Sequence, residues 1–289
     1  MEMQEVFSLY EGNLRRVEQY LESQQHSYIQ LIPEIANHII NSGGKRLRPL
    51  LLLIASDLCG YKGERCYSLA AVMEFIHTAS LLHDDVIDRA DKRRGRDVAN
   101  RVWGNSASVL VGDYLYAKAF KMLADDEDPA VQKLLSTITT TMVEGEISQL
   151  VKTRSIDTTE KEYLSVIEKK TAVLISASCA VGALLAKAPE SDIEALARFG
   201  MRLGMAFQLT DDALDYVASE EEFGKTIGKD LKEGKVTLPL VGVYKKSSQS
   251  ERELIKKTVE GEEVLETDIA EIVAIINKYG GIEHTLNVA

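Results

Sequence analysis

Apolar residues recur at three- and four-residue intervals through almost the whole chain, and nowhere do they alternate as in a half-buried strand. Val6, Leu9, Leu14, Val17 and Leu21 set that rhythm and predict an amphipathic first helix. A second helix follows Pro33 and stops at Gly43-Gly44, and Pro49 opens an apolar run, Leu50 to Leu58, closed by Gly60. From Ser68 a long helix rich in Ala, Leu and Ile runs into His83-Asp84-Asp85. Arg89 to Asp97 is too charged for a core and holds Gly95, so it reads as a loop. Further helices are predicted near 105–124, 129–151, 158–187, 190–217, 236–247, 250–259 and 264–279, and no sheet. The fold class is all-α, a helical bundle in which some helices are wrapped on all sides. The chain has 289 residues, only five prolines and no Pro/Gly/Ser-rich divider, which predicts one domain over 1–289.

Acidic residues outnumber basic ones by 45 to 34, so the net charge of -11 argues against a nucleic-acid partner held by overall charge. Cys59, Cys66 and Cys179 form no CxxC pair and are expected as free thiols in a reducing compartment. The N-terminus has no apolar run behind a basic start. The longest uncharged stretch, Thr171 to Ala186, is sixteen residues, short of the ~20 needed to cross a bilayer. It reads as a buried helix, and the expectation is a soluble, cytoplasmic protein with no transmembrane segment.

Two acidic clusters stand out. Leu81-Leu82-His83-Asp84-Asp85-Val86-Ile87-Asp88 is echoed by Gln208-Leu209-Thr210-Asp211-Asp212-Ala213-Leu214-Asp215. Residues four apart on a helix share a face, about 6 Å apart along the axis, so Asp84 pairs with Asp88 and Asp211 with Asp215. Asp85 and Asp212 sit about 100° round from the first member of each set. Like charges at that spacing repel unless a cation lies between them. Oxygen-only ligation by a few carboxylates suits Mg²⁺, which completes its octahedron with water and phosphate. A solvated acidic face does not explain the apolar helix before both clusters. A di-iron bundle needs two Glu-x-x-His motifs, and Glu74-Phe75-Ile76-His77 supplies one. Neither cluster has the loop glycine and the Glu at position twelve of an EF-hand.

Three basic segments complement the acids. Gly43-Gly44-Lys45-Arg46-Leu47-Arg48-Pro49 puts three cations behind a glycine pair at a helix start, where backbone N–H groups also favour an anion. Lys92-Arg93-Arg94-Gly95-Arg96 follows the first acidic cluster, and Gly224-Lys225-Thr226-Ile227-Gly228-Lys229-Asp230 to Gly234-Lys235 follows the second. No Walker P-loop is present. The repeated order of acidic cluster then basic segment points to metal-bound diphosphate held by charge-assisted contacts.

GGKRLRP, HTASLLHDDVIDRADKRRG, and FQLTDDALDY with GKTIGKDLKEGK together resemble the trans-isoprenyl diphosphate synthase family, in order over roughly residues 40 to 285. The resemblance implies helices around a deep central cavity, with two aspartate-rich motifs facing each other across its mouth. Position by position, it implies that Lys45, Arg48, His77 and Arg94 bind isopentenyl diphosphate. Asp84, Asp85, Asp88, Asp211 and Asp215 would hold Mg²⁺ on an allylic prenyl diphosphate, which Arg93, Lys170, Lys225 and Lys235 would contact. Asp212 completes the catalytic set, and Thr171 and Gln208 would face the developing allylic cation. The implied chemistry is ionisation, condensation and elimination, with a homodimer as the assembly. Class I cyclases lack both the second DDxxD and the GGKRxRP site, and a non-catalytic partner subunit would be expected to lose aspartates.

In that family a bulky residue four or five positions before the first Asp stops chain growth. Here Ser80 and Ala79 occupy those positions, and Ile76, Phe75, Met73 and Val72 lie deeper, roughly 12–18 Å below Asp84 at helical rise. The expectation is a long all-trans product of roughly C30–C40, with a shorter-chain geranylgeranyl or farnesyl synthase, or the catalytic subunit of a heteromeric synthase, as the alternatives. Family members usually continue beyond the equivalent of Gly280-Gly281-Ile282-Glu283 with further helix and a basic tail, whereas this chain stops at Ala289. Weaker closure over the site is the expected result.

Overall fold

The computed structural model describes residues 2–217, 227–261 and 264–289. The chain forms two compact units, one of Met1–Thr139 with Leu174–Gly200, the other of Thr140–Val173 with Met201–Ala289.

The first unit contains α1 (Met3–Leu9), α2 (Glu11–Gln24), α3 (Leu31–Ile40), α4 (Leu47–Leu58), α5 (Arg65–Ile87), α6 (Ala99–Trp103) and α7 (Asn105–Asp126). It also contains the start of α8 (Pro129–Lys152), most of α10 (Val173–Leu185) and the start of α11 (Glu190–Leu214). Helix α5 is its axis and packs against α2, α4 and α7. Ala70, Ala71, Val72, Met73, Phe75, Ile76, Ala79 and Leu82 are all fully buried. A helix apolar on every side must be surrounded, and this one is. It ends at its C-cap Asp88, where Asp84 and Asp88 are half-buried and Asp85 stays buried. The uncharged stretch from Thr171 is likewise buried from Ala172 through Ala183, as expected for a core helix.

The second unit holds the rest of α8, α9 (Glu160–Ile167), a π-helical turn (Glu168–Ala172) and the rest of α11. Then follow α12 (Lys229–Lys232), α13 (Leu238–Tyr244), α14 (Gln249–Glu260), α15 (Glu266–Lys278) and α16 (Gly281–Val288). Its core gathers Tyr216, Leu231, Leu240, Val243, Ile255, Ile272 and Ile276. Capping boxes start α9 (Thr159 with Glu162) and α14 (Ser248 with Glu251), so both ends are specified locally.

Four details depart from expectation. The predicted first helix is broken at Tyr10 into α1 and α2. The segment read as a loop contains a two-residue antiparallel ladder, Lys92–Arg93 with Arg96–Asp97, so the expectation of no sheet fails at this one hairpin. Arg94 and Gly95 both take positive φ (51° and 78°), the requirement of a type I′ turn. The helix predicted over 158–187 is interrupted by the π turn, and α6, α12 and α16 were not predicted at all. None of the described helices is long and apolar enough to cross a membrane.

Candidate active site

In the first unit, a cationic group is built around His77. Gly43 at φ 93° and Arg46 in the left-handed region at φ 47° turn the chain into α4, and this bend aims Arg46 back at α5. There Arg46 donates to buried Glu74 at 2.9 Å and to the Ile40 carbonyl at 2.8 Å. Helix α5 places His77 nearly one turn beyond Glu74, and the hairpin brings Arg93 and Arg94 to the same region. Burial first, then the Arg48, Arg93, Arg94 and Arg46 guanidiniums, push the His77 imidazole well below its ordinary range, so it is neutral at pH 7. Burial likewise lowers Arg48 to about 10. Arg94 is lowered by burial and by Arg93 and Arg46, and one of its guanidinium nitrogens lies 2.9 Å from where a Gly44 Cβ would stand. The buried Nε of Arg48 has no hydrogen-bond partner. Glu74 and Asp85 do not offset four guanidiniums, so the cluster carries an excess of positive charge, the chemistry that attracts an anion. Lys45 is exposed and lines an open surface pocket of about 430 Å³ with Glu2, Met3, Gln4 and Phe7.

The first acidic cluster divides in its roles. Asp85 is 2% exposed and is taken by Arg93, with Nη2 to Oδ1 at 2.8 Å and Nε to Oδ1 at 3.1 Å. Its backbone carbonyl accepts from Ala90 and Asn100. Asp84 and Asp88 flank it on the half-buried face.

In the second unit, the other cluster repeats the division. Asp212 is 5% exposed and accepts from Tyr163 Oη at 2.5 Å and Gln208 Nε2 at 2.7 Å. Gln208 Oε1 in turn accepts from Thr171 Oγ1 at 3.0 Å. Burial raises Asp212 to about 6, against the pull of those two donors. Asp211 is exposed, and half-buried Asp215 accepts from the Asp230 backbone N–H at 3.0 Å. Burial also raises Asp215, and it raises Asp230 well above the carboxylate range with Asp212 and Asp215 adding to the push. Such crowded carboxylates hold protons tightly because their charge is uncompensated, and a hard divalent cation relieves that strain. Among the described residues no three His, Cys, Asp or Glu form a metal cage on their own.

Lys170 and Thr171 sit in the π turn. Helix α8 meets it at Gly145, where a Cβ would lie 2.7 Å from the Lys170 backbone N, and α11 meets it at Gly204, 2.5 Å from Ala172 Cα. Lys170 pairs with Glu146 at 2.6 Å, and Lys235 with Glu233 at 2.7 Å. Lys225 lies outside the described residues.

The family model described as Polyprenyl synthetase matches residues 29–276. The chain belongs to the polyprenyl synthetase family. It is 38% identical to an octaprenyl diphosphate synthase of Haemophilus influenzae, over 99% of this chain and 87% of that one. It is 39% identical to heptaprenyl diphosphate synthase component 2 of Geobacillus stearothermophilus, over 96% and 84%. A crystal structure of a polyprenyl synthase from Caulobacter crescentus, complexed with calcium and isoprenyl diphosphate, superposes with a TM-score of 0.94. That protein is 37% identical, and the superposition covers 99% of this chain and 87% of the other.

Family membership and the all-α class bear out the motif reading. The structure brings Arg48, His77, Arg93 and Arg94 together, and Thr171 with Gln208 and Asp212. The sequence reading singled out neither Arg46 nor Glu74 as a partner in the first unit's cationic group, nor Tyr163 beside Asp212 in the second unit. Arg46 lies inside the GGKRLRP string itself, and Glu74 is a charge in an otherwise apolar helix. Both were signals.

Proposed function

We propose that this polyprenyl synthetase family member condenses isopentenyl diphosphate with an allylic diphosphate such as farnesyl diphosphate, making a long-chain all-trans product of roughly C30–C40. The observation that carries it is the group of guanidiniums around neutral His77, which supports a second diphosphate site that a cyclase does not need. In this reading Lys45, Arg48, His77 and Arg94 hold isopentenyl diphosphate. Asp84, Asp88, Asp211 and Asp215 hold Mg²⁺ against the allylic diphosphate, while Asp85 acts through Arg93. Mg²⁺, when bound, neutralises charge building on the departing diphosphate. Arg93, Lys170, Lys225 and Lys235 add fixed positive charge at the same leaving group. Thr171 and Gln208 turn oxygen toward the allylic carbon, and the apolar α5 wall keeps water from a cation it would quench. Oxygen-only donors support Mg²⁺, and the calcium in the Caulobacter crescentus protein is a cation of the same hard class.

Small Ala79 and Ser80 support passage of the tail toward Ile76, Phe75, Met73 and Val72, and the octaprenyl and heptaprenyl relatives support the same length class. We further propose a single synthase domain over 1–289, acting in the cytoplasm as a homodimer. Val143, Ile147, Leu150 and Val151 on α8 are 50–73% exposed at helical spacing, an apolar face that a second copy would cover. The test is to incubate purified protein with Mg²⁺, labelled isopentenyl diphosphate and farnesyl diphosphate, and size the products. A ladder ending near C30–C40 is expected, and no extension at all removes the catalytic reading. The likeness to a component 2 favours one second reading, a catalytic subunit that needs a partner. Extension by the purified chain alone excludes it.

A further inference from the structure

The Tyr163 hydroxyl has no place in the chemistry above, yet it is 5% exposed and makes one of the shortest polar contacts of its unit, 2.5 Å to Asp212 Oδ2. A tyrosine in a core costs free energy unless its hydroxyl finds a partner, but a backbone carbonyl would have served as well. Here the partner is the central carboxylate of the second acidic cluster. The other oxygen of that carboxylate accepts from Gln208 Nε2 at 2.7 Å.

That second bond fixes which way Gln208 points. A carboxylate cannot donate, so the amide must turn its nitrogen to Asp212 and its carbonyl oxygen away. Gln208 Oε1 then accepts from Thr171 Oγ1 at 3.0 Å, and the threonine proton is committed to that bond. The hydroxyl of Thr171 therefore turns its lone pairs, not its proton, to the remaining directions. All four groups lie in one unit, on three segments: α9 for Tyr163, the π turn for Thr171, and α11 for Gln208 and Asp212. The tyrosine and the threonine stand at the two ends of this relay.

We propose that Tyr163 is a positioning residue for the prenyl-transfer reaction: its hydroxyl anchors Asp212, which holds Gln208 and through it Thr171 with oxygen turned to the reacting allylic carbon. The inference rests on the prenyltransferase reading and deepens it. Tyr163 touches no substrate in this account. Without its hydroxyl the carboxylate is free to swing, Gln208 is free to flip, and an amide N–H or a threonine proton can face the developing cation. That change weakens charge stabilisation in the transition state more than ground-state binding, so it lowers kcat and spares the KM of isopentenyl diphosphate.

Tyr163→Phe keeps the ring and removes the donor. Its kcat is expected to fall by about tenfold or more, the scale on which misplaced groups act, with the KM for isopentenyl diphosphate unchanged. p-Aminophenylalanine at position 163, which restores a donor, is expected to recover most of the loss. Side-chain amide NMR reads the relay without turnover: the Gln208 resonance, assigned by its loss in Gln208→Leu, shifts in Tyr163→Phe and returns with the amino analogue. Wild-type extension with Tyr163→Phe within twofold overturns the proposal. Failure of wild-type extension sinks the prenyltransferase reading instead, and the amide spectrum then decides the relay alone, an unmoved Gln208 signal being negative. Should the phenylalanine variant not fold, 3-fluorotyrosine and 3,5-difluorotyrosine at position 163 keep the shape and grade the donor strength. An unchanged Gln208 resonance across that series overturns the proposal.

Discussion

Tyr163 Oη and Asp212 Oδ2 lie 2.5 Å apart in the second unit, and the arrangement has a counterpart at the first acidic cluster. There Asp85 is gripped by Arg93, two of whose nitrogens reach Oδ1. In both DDxxD motifs the middle carboxylate is buried and bound by protein donors, while the flanking pair four residues apart stays on the more open face. Helical geometry produces this division. The residue about 100° round from the flanking pair looks into the bundle, where an unpaired charge is costly. In the proposed reading each motif would supply ligands with its first and last aspartates, while its second is held by protein donors.

This division predicts different failures for adjacent residues. Asp84→Asn removes a proposed metal ligand from a half-buried position and is expected to abolish turnover while leaving the unfolding midpoint nearly unchanged. Asp85→Asn strands the Arg93 guanidinium and is expected to cost about 1–3 kcal/mol of stability as well as turnover. Urea denaturation of the two variants separates them. Equal midpoints would show that Asp85 does not anchor the hairpin.

His77 gives the fold a pH dependence of definite sign. Its folded imidazole titrates well below the ordinary range because it is buried among arginines. The unfolded chain binds that proton below about pH 6.5 while the native state does not, so this contribution is intact above 6.5 and is lost as pH falls. Wild type is expected to lose stability relative to His77→Gln between pH 7 and 5, by at most about 1.4 kcal/mol per pH unit. Parallel stability curves for the two proteins would show that His77 is not held neutral.

Much of this molecule was legible in its sequence because the signals are local. Helical periodicity located α3, α4, α5, α7 and α8, and the aspartate and arginine strings marked the residues that now cluster. What escaped was set by other segments. Glu168-Lys169-Lys170-Thr171-Ala172 reads as ordinary helix, and its π turn accompanies the close approaches of Gly145 and Gly204 from neighbouring helices. Tyr163 finds Asp212 from 49 residues away, and Arg46 finds Glu74 from 28. The hairpin at Arg94-Gly95 had a local signal in its glycine, but its charged strands carry no alternation.

Glu74 tests how the basic loop is held. It is 6% exposed and offers Oε1 to Arg46, which otherwise lacks a charge partner of comparable burial. Removing one member of a buried pair leaves the other stranded, so Glu74→Ala is expected to cost about 3 kcal/mol. Because Arg46 and Arg48 share the start of α4, the KM for isopentenyl diphosphate is expected to rise in the same variant. A variant with normal stability and normal KM would show that the pair is dispensable.

Gly204 tests the clamp on the π turn. Glycine to alanine inside a helix ordinarily gains about 1 kcal/mol. A Cβ at Gly204 would stand 2.5 Å from Ala172 Cα, a backbone atom that cannot swing aside. Overpacking of that kind costs about 1–3 kcal/mol, so the net sign is destabilising. Gly12, with nothing within 4 Å of its added Cβ, is the control, and Gly12→Ala should lose no stability. Displacement of the turn also moves Lys170 and Thr171, so kcat is expected to fall in Gly204→Ala beyond what the lost stability explains.

Ala79 tests the product ruler, and here packing and function can be told apart. It lies one and a half turns before Asp84 on α5, fully buried, with Ser80 beside it back-bonded to the His77 carbonyl at 2.8 Å. If the growing chain runs along this helix, a phenyl ring at position 79 blocks it about 7.5 Å from the first aspartate at helical rise. Ala79→Phe is then expected to shift products from the roughly C30–C40 class to about farnesyl or geranylgeranyl length, with rapid turnover of the first additions retained. If the site is only tightly packed core, the same substitution overpacks it, lowers the unfolding midpoint and reduces the amount of every product equally. Reversed-phase chromatography of the dephosphorylated products distinguishes a changed length from a changed yield, and unchanged length in a folded Ala79→Phe variant would refute the ruler.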